Sequence, residues 1–377
     1  MTTYLDALER VINEVVAPSA TDIDRHSTYP SSALDALGEA GLLGLVSSTE
    51  VGGGGEGLAA AAQVVECLVG ACGSTAMVVL MHYATIGLIE AHGPDDVRAA
   101  IAAGRHLSTL AFSEAGSRSH FWAPMGTAKA ADGRARLDAR KSWVTSAGEA
   151  DSYVWSSRPL GTAGPMTLWL VPADTRGLAV AGGFDGLGLR GNGSTPVDAD
   201  GVVVPLDAML GDDGQGLDLA MTLVLPWFLV MSAAFSVGVM EAVTAEATVH
   251  LTSTRLEHLG RSLGEQPVTR LELARMRVDT DRSRAFVNDT LAALGEERPD
   301  AGLRVLEVKA ATAESAIEVT ERAMKVCGGS AFRKELGVER RFRDARAARV
   351  MAPTTDALLD FVGRAVCGLP LIEEVPA

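Results

Sequence analysis

The chain has 377 residues and a formal net charge of −15; 47% of its residues are hydrophobic and 21% are charged. This length provides core for two or three domains, and the composition excludes long disordered stretches. A strongly acidic protein is a poor partner for nucleic acid and for an anionic membrane, so neither is expected as a partner.

The cysteines and the N-terminal segment indicate the cellular compartment of the protein and whether it has a metal site. Cys67, Cys72, Cys327 and Cys367 form no C-x-x-C pair, and no histidine lies at metal-ligand spacing from them. The N-terminal segment carries acids where a signal sequence has basic and apolar regions, and the longest apolar run, residues 223–235, is too short to span a bilayer. We expect a cytoplasmic protein with reduced thiols and no metal site.

The first third of the chain has the periodicity of amphipathic and buried helices. The predicted helices cover residues 4–15, 33–40, 58–69 and 74–91. Pro18 is expected to end the first helix and Gly41 the second. The glycine-rich segment 51–57 lacks the residues of a phosphate-binding loop, so a plain connection between helices is expected there.

The middle of the chain changes to short β-rich runs separated by Gly, Pro, Asp and Ser. They cover residues 107–112, 135–145, 152–157, 166–172, 178–183 and 201–207. Such spacing predicts a small antiparallel sandwich or barrel.

Helical periodicity returns after the β-rich region. The predicted helices cover roughly residues 217–255, 266–294, 301–326 and 354–368. We therefore expect an α+β protein with three domains, at residues 1–107, 108–216 and 217–377.

Four segments, in this order and spacing, resemble the acyl-CoA dehydrogenase family of flavoproteins. They are Phe-Ser-Glu-Ala-Gly-Ser at 112–117, Lys-Ser-Trp-Val-Thr-Ser at 141–146, the glycine-rich 187–194 with its following strand, and Gly328-Gly329 with Arg343-Asp344-Ala345. The first is about two residues shorter than the family's segment, and Arg118 stands where the family has an aspartate. The resemblance covers nearly the whole chain. It implies an N-terminal helical domain, a middle antiparallel β-barrel and a C-terminal four-helix bundle.

The same resemblance implies FAD as cofactor and assigns residues to the flavin ring. Trp143 would form a flat wall against the ring, and Thr145 would offer its hydroxyl to the ring nitrogen N5. Ser113 would bond the polar edge of the ring. The turn from Phe112 through Gly116 and Ser117 would offer backbone N–H groups to the ring or to ligand phosphates.

In the family a neighbouring subunit completes the cofactor site, so a homodimer or homotetramer is implied. Arg255 and the Gly328-Gly329 turn would reach the adenosine diphosphate, although Arg255 lies in a segment one residue longer than the family's and could be a solvated helix residue. Thr354 and Asp356 are included among the cofactor-binding residues. For Arg343 and Asp344 we favour an ion pair that ties helices together.

The family's catalytic glutamate is missing from this sequence. Its usual position corresponds to Ala352, and the alternative position used by some members corresponds to Phe228. Dehydrogenation of a thioester requires a base within reach of the α-proton, and neither residue accepts a proton. Asp356 and Glu114 are weak candidates for a replacement base. Asp356 also suits the first turn of a helix, where the dipole favours an acid.

Three hypotheses about function follow. The protein oxidises a small acyl thioester, linked to CoA or to an acyl carrier protein; the Ala- and Arg-rich composition points to bacterial secondary metabolism. Alternatively it is a flavin monooxygenase, in which Ala352, Phe228, Trp227 and Met351 line a dry pocket. His120, His82 and His258 would then be candidate acid–base groups. Third, it is a catalytically silent FAD-binding member. The near-complete set of dehydrogenase segments favours the first hypothesis.

Overall fold

The computed structural model describes residues 3–118 and 120–372. The chain forms two compact units. The first comprises Met1–Val65, Ser74–Gly186 and Arg190–Phe228, and the second Glu66–Gly73, Leu187–Leu189 and Leu229–Ala377. The division into three domains at 107/108 and 216/217 stays a prediction, and its outermost residues, 1–2 and 373–377, lie outside the described residues.

Twelve α-helices and ten strands are named here within the described residues. The helices are α1 (Tyr4–Val11), α2 (Ala17–His26), α3 (Ser31–Glu39), α4 (Leu58–Ala71), α5 (Gly73–His92), α6 (Asp95–Ala102), α7 (Gly216–Leu219), α8 (Leu225–Ser253), α9 (Pro267–Gly295), α10 (Ala301–Cys327), α11 (Val338–Val350) and α12 (Thr355–Val366). The strands are β1 (Ser108–Ala111), β2 (Thr127–Ala131), β3 (Arg134–Val144), β4 (Ser152–Ser157), β5 (Thr167–Pro172), β6 (Leu178–Val180), β7 (Thr195–Pro205), β8 (Met209–Leu210), β9 (Arg255–Leu256) and β10 (Arg261–Ser262). The helical, then β, then helical order confirms the predicted α+β fold class.

The first helix does not end at Pro18, so that prediction is wrong. A π-helical turn, Ile12–Val16, joins α1 to α2, and the Ala17 N–H donates to the carbonyl of Ile12. Pro18 therefore lies in the first turn of α2. Proline is tolerated there because its missing N–H is not needed by the helix and its φ is already helical.

His82 on α5 is a structural residue of the first unit. Its side chain is fully buried, Ser108 N–H donates to Nδ1 at 3.1 Å, and Nε2 lies 3.2 Å from the carbonyl oxygen of Leu43. Nδ1 accepts, so Nε2 carries the proton of a neutral ring. Burial lowers the pKa of His82 to about 4. These contacts argue against a role for His82 as an acid–base catalyst.

The first unit should lose stability in acid because of His82. Its pKa is about 4 when folded and 6.5 in the unfolded chain, so below 6.5 the unfolded state binds the additional proton. This linkage removes about 3 kcal/mol between roughly pH 7 and pH 4. Urea denaturation at both pH values should show a smaller acid loss for His82→Gln than for the wild type. Equal losses would contradict the assignment.

Two four-stranded sheets form the middle of the first unit. Their strand orders are β1-β4-β5-β8 and β2-β3-β7-β6, and β1 also contacts β3. All pairs are antiparallel except β1 with β4, which is parallel. The predicted antiparallel sandwich or barrel therefore contains one parallel pair, β1 with β4. Parallel neighbours need a long crossover, and the chain between β1 and β4 supplies one that contains β2 and β3.

The helices α9, α10, α11 and α12 belong to the second unit, and α10 contacts each of the other three. The segments predicted at 266–294 and 301–326 agree with α9 and α10 to within one residue. The prediction omitted α11, although it has thirteen residues. Five of them are arginines, and two charged residues, Arg341 and Asp344, occupy buried positions of the helical repeat, so the apolar pattern is hidden.

The buried charges of α11 bind backbone groups within the second unit. Arg341 donates to the carbonyl of Val69 at 2.7 Å and also pairs with Glu246. Asp344 accepts the N–H of Leu189 at 2.7 Å, and burial raises the pKa of this carboxyl. Arg343 pairs with Glu339 on its own helix. Asp344 thus binds a backbone N–H, and the buried ion pair from α11 to another helix is made by Arg341 with Glu246 on α8.

Two helical segments, Gly73–His92 and Gly216–Ser253, are long and apolar enough to span a membrane by length and composition alone. In each, 83% of the apolar window is buried inside the protein. Burial of this kind is typical of core helices.

Candidate functional site

The structure places two of the predicted flavin segments side by side in the first unit. Ser142 N–H donates to the carbonyl of Ser113 at 2.9 Å, and Glu114 forms a β-bridge with Lys141. The segment 112–117 is thus an additional edge of the sheet beside β3. Ser113 consequently lies next to the part of β3 that carries Trp143.

Trp143 lies at a β-bulge. The register of β3 against β7 shifts between Lys141 and Val144, and Trp143 adopts φ +55°. This left-handed conformation costs a bulky residue about 1–3 kcal/mol, and such strain clusters at functional sites. A bulge redirects a side chain, and here the indole is 70% exposed. The site therefore offers a broad, uncovered aromatic face, as the wall for a flavin ring requires.

The hydroxyl of Thr145 lies beside a second hydroxyl. Thr145 Oγ1 is 3.0 Å from Ser194 Oγ, and both residues are buried. Ser194 was not predicted as a site residue, although it ends the Gly-Asn-Gly-Ser run at 191–194 that helped to define the resemblance. Its contact with Thr145 joins the residue after β3 to the residue before β7, which are distant in sequence, so the sequence pattern alone contains no signal for it.

The turn 112–117 contains a polar atom with no partner. Ser117 Oγ is buried and makes no hydrogen bond to any described residue, a property that it shares with six other Ser and Thr hydroxyls of the described chain. Gly116 is exposed, while the ring of Phe112 is buried and stacks on Phe121 at 6.4 Å. An orphaned hydroxyl beside an exposed glycine, together with the uncovered Trp143, fits the flavin that the resemblance implies.

Glu114 and Lys141 form a buried ion pair that holds the turn against β3. Lys141 Nζ donates to Glu114 Oε1 at 2.6 Å and to both oxygens of Ser156. The other oxygen of Glu114 accepts the N–H groups of Met125 and Gly126. Burial lowers the pKa of Lys141 to about 8, and Glu114 opposes that shift. Because both oxygens of Glu114 already accept hydrogen bonds, the geometry argues against Glu114 as a replacement base.

The segment after α11 contains Ala352, which the resemblance assigns to the usual position of the catalytic glutamate. Ala352 is half-buried and lies in the connection between α11 and α12. The side chain of Thr354 caps α12 by accepting the Ala357 N–H at 3.3 Å, so this hydroxyl already has a structural partner. Asp356 is exposed in the first turn, where the helix dipole favours an acid. This position fits its structural role and offers no support for a catalytic one.

The alternative base position and the other candidate acid–base groups add no carboxylate. Phe228 is buried near the start of α8, and Trp227 beside it is half-buried. His120 and His258 are exposed. The described part of the chain contains no group of three or more His, Cys, Asp or Glu that could hold a metal, and its four cysteines are free.

The residues assigned to the adenosine diphosphate lie on exposed segments of the second unit. Arg255 belongs to a two-stranded hairpin, β9 with β10, and its guanidinium donates to the carbonyl of Gly260 at 2.6 Å. The alternative of a helical Arg255 is wrong because α8 ends at Ser253. Gly328 has φ +56°, which favours glycine, and a Cβ added to Gly328 or Gly329 would meet no described atom within 4 Å. A ligand could approach both closely.

Sequence comparison covers the chain with three consecutive family models. They describe the acyl-CoA dehydrogenase N-terminal domain at residues 2–104, the middle domain at 109–202 and the C-terminal domain at 214–367. The short-chain specific mitochondrial acyl-CoA dehydrogenase of Homo sapiens is 26% identical over 347 residues, covering 90% of this chain and 83% of that protein.

Solved structures share the fold. Butyryl-CoA dehydrogenase from Megasphaera elsdenii matches with a TM-score of 0.90 and 22% identity over 97% of each chain. The prolyl acyl carrier protein oxidase AnaB matches with a TM-score of 0.87 and 18% identity over 96% of this chain and 98% of that one. FAD is the cofactor of this family. The chain therefore belongs to the acyl-CoA dehydrogenase family and is an FAD-dependent, acyl-CoA dehydrogenase-like oxidoreductase.

Proposed function

We propose that the protein oxidises a small acyl thioester without a carboxylate at either family base position. The observation that carries the proposal is the combination of an intact flavin-facing strand with Ala352 at the usual base position and Phe228 at the alternative one. We also propose that the protein is bacterial and cytoplasmic, that it assembles as a homodimer or homotetramer, and that it acts in secondary metabolism.

The residues that would hold the flavin ring of FAD are those of the first unit described above. Trp143 would cover the ring, and Thr145 with Ser194 would supply a hydroxyl. Ser117 would donate its unpartnered hydroxyl, and Ser113 would face the polar edge. When bound, FAD accepts the two electrons that leave the substrate. The protein's own task is to hold the ring and the thioester in register and to exclude water.

The residues at the start of α8 support an acyl carrier protein, not CoA, as the carrier of the acyl group. Leu225-Pro226-Trp227-Phe228-Leu229 contains no charged residue, whereas family members direct an Asp and an Arg from this segment at the CoA moiety. Recognition of CoA phosphates ordinarily uses cations such as this arginine. A thioester on an acyl carrier protein lacks the phosphorylated adenosine of CoA, so its recognition needs fewer cations. AnaB, which shares the fold, is named for a carrier-linked prolyl substrate.

The α-proton must leave without the usual glutamate. Glu114 is committed to Lys141, and Asp356 is exposed at the start of α12. We infer that water or a group of the substrate takes the proton. Turnover of an unactivated thioester should then be slow, because a positioned base typically contributes a factor of about 10²–10⁴.

Anaerobic titration of the FAD-loaded protein tests this function. Acyl thioesters of CoA, of pantetheine and of an acyl carrier protein should bleach the flavin absorbance, with the carrier-linked series fastest. No bleaching by any of them would overturn the proposal. Oxygen uptake with a hydroxylated product would support the monooxygenase instead, and failure to bind FAD would support a silent family member.

A further inference from the structure

A lysine that the proposed chemistry does not use lies beneath the segment of the missing base. Lys309 is on α10, and the residue is 1% exposed. Its ammonium donates to the carbonyl oxygens of Ala348 at 3.1 Å, Met351 at 3.1 Å and Pro353 at 2.8 Å. Two of these carbonyls belong to the residues on either side of Ala352.

The three acceptors match the three N–H groups of an ammonium. Ala348 is in the last turn of α11, where carbonyls lack partners within the helix and the helix dipole favours a cation. Met351 and Pro353 are in the connection that follows. The Lys309 side chain therefore supplies hydrogen bonds to a carbonyl at the end of α11 and to the carbonyls of the residues on both sides of Ala352. Without Lys309 these carbonyls would lack a partner.

No carboxylate shares this ammonium. Within residues 3–118 and 120–372, Lys309 forms no ion pair, and burial lowers its pKa to about 7. Burying a charge without an ion-pair partner costs free energy, so a charged Lys309 at this position requires that the three carbonyl dipoles offset the cost of desolvation. The backbone of residues 348–353 must hold its shape for that compensation to exist. The charge and the shape of the segment are thus mutually dependent.

We propose that Lys309 is a positioning residue that sets the backbone at the base position independently of the side chain at 352. This inference deepens the proposed function, since it explains why the segment keeps its geometry after the glutamate has been lost. The lysine does not contact the reacting atoms; it acts through the backbone of Met351 and Pro353. Any side chain placed at 352 is expected to project from the same fixed main chain.

Hydrogen exchange tests this role without relying on catalysis. The Met351 N–H is bonded to the Ala347 carbonyl, and the Ala357 N–H to Thr354 Oγ1. In the FAD-loaded protein, Lys309→Met should speed exchange of these two amides by at least about ten-fold, while amides of β3 stay unchanged. Lys309→Arg should restore part of the protection. Lys325→Met is the matched control on the same helix, because Lys325 bonds only the side chain of Glu272.

The outcomes separate the inference from the proposed function. Unchanged exchange at Met351 and Ala357 in Lys309→Met would overturn the inference. If that variant unfolds and exchange rises everywhere, Lys309→Gln is measured by the same criterion. If Ala352→Glu speeds thioester oxidation, adding Lys309→Met to that variant should lower the rate gained at least ten-fold, and adding Lys325→Met should not. If Ala352→Glu gains nothing in any background, the proposed function fails, while the exchange result still decides the role of Lys309.

Discussion

The Ala352→Glu variant is expected to bleach its FAD with an acyl thioester at least about 100-fold faster than the wild type. The reason is that a carboxylate is placed where family members use one, and a positioned general base contributes about 10²–10⁴-fold. The backbone of this segment is held by Lys309, so the new side chain should project from an ordered main chain. Anaerobic stopped-flow measurement of flavin absorbance gives the rate directly.

The matched control for this prediction is Ala352→Gln. Glutamine has nearly the same size and shape as glutamate but accepts no proton at neutral pH, so its rate should stay within a few-fold of the wild type. Equal acceleration by both variants would show that the pocket shape, not the base, limits the reaction. No acceleration by either would show that the pocket serves another reaction.

The Lys141→Met variant is expected to lose about 3–5 kcal/mol of unfolding free energy, because it leaves Glu114 as a buried carboxylate without its cation. Both side chains are almost completely buried, at 0% and 2% exposure. The pair also holds the turn 112–117 against β3, so the affinity for FAD should fall with stability. Urea denaturation and FAD titration of the same preparation measure the two effects.

Two further variants make the second prediction specific. Replacing both partners, Glu114→Gln with Lys141→Met, should cost less than Lys141→Met alone, since no unpaired charge remains. Arg140→Met removes an exposed ion pair to Asp198 from the same strand and should cost at most about 1 kcal/mol. A loss in Lys141→Met no larger than that in Arg140→Met would contradict the role assigned to the buried pair.

Most helices and strands could be predicted because their periodicity is strong. The long segments now seen as α5, α9 and α10 were predicted nearly to the residue. The failures have physical causes. The first helix was predicted to end at Pro18, but a π-helical turn joins α1 to α2 and Pro18 lies within α2. Helix α11 was omitted because Arg341 and Asp344 occupy buried positions, and their backbone partners are distant in the chain.

The site could be predicted only where a motif carries the chemistry. The strand bearing Trp143 and Thr145 is recognisable by its motif, whereas the roles of Lys141 and Ser194 depend on tertiary contacts that no short motif encodes. The sequence contains a weak indication that Lys309 is unusual. It lies four residues after Val305 and three before Thr312, on the buried stripe of α10, where an unpaired lysine is not expected.

Deuterium incorporation at the α-carbon of a bound thioester tests the central claim, that the scaffold is intact and its usual proton acceptor is absent. The FAD-loaded wild type, incubated anaerobically with a thioester in heavy water, should exchange the α-hydrogen no faster than a protein-free solution. Ala352→Glu should exchange it readily, because the new carboxylate removes and returns the proton. Rapid exchange by the wild type, detected by mass spectrometry of the recovered thioester, would contradict the account and show that another residue serves as the base.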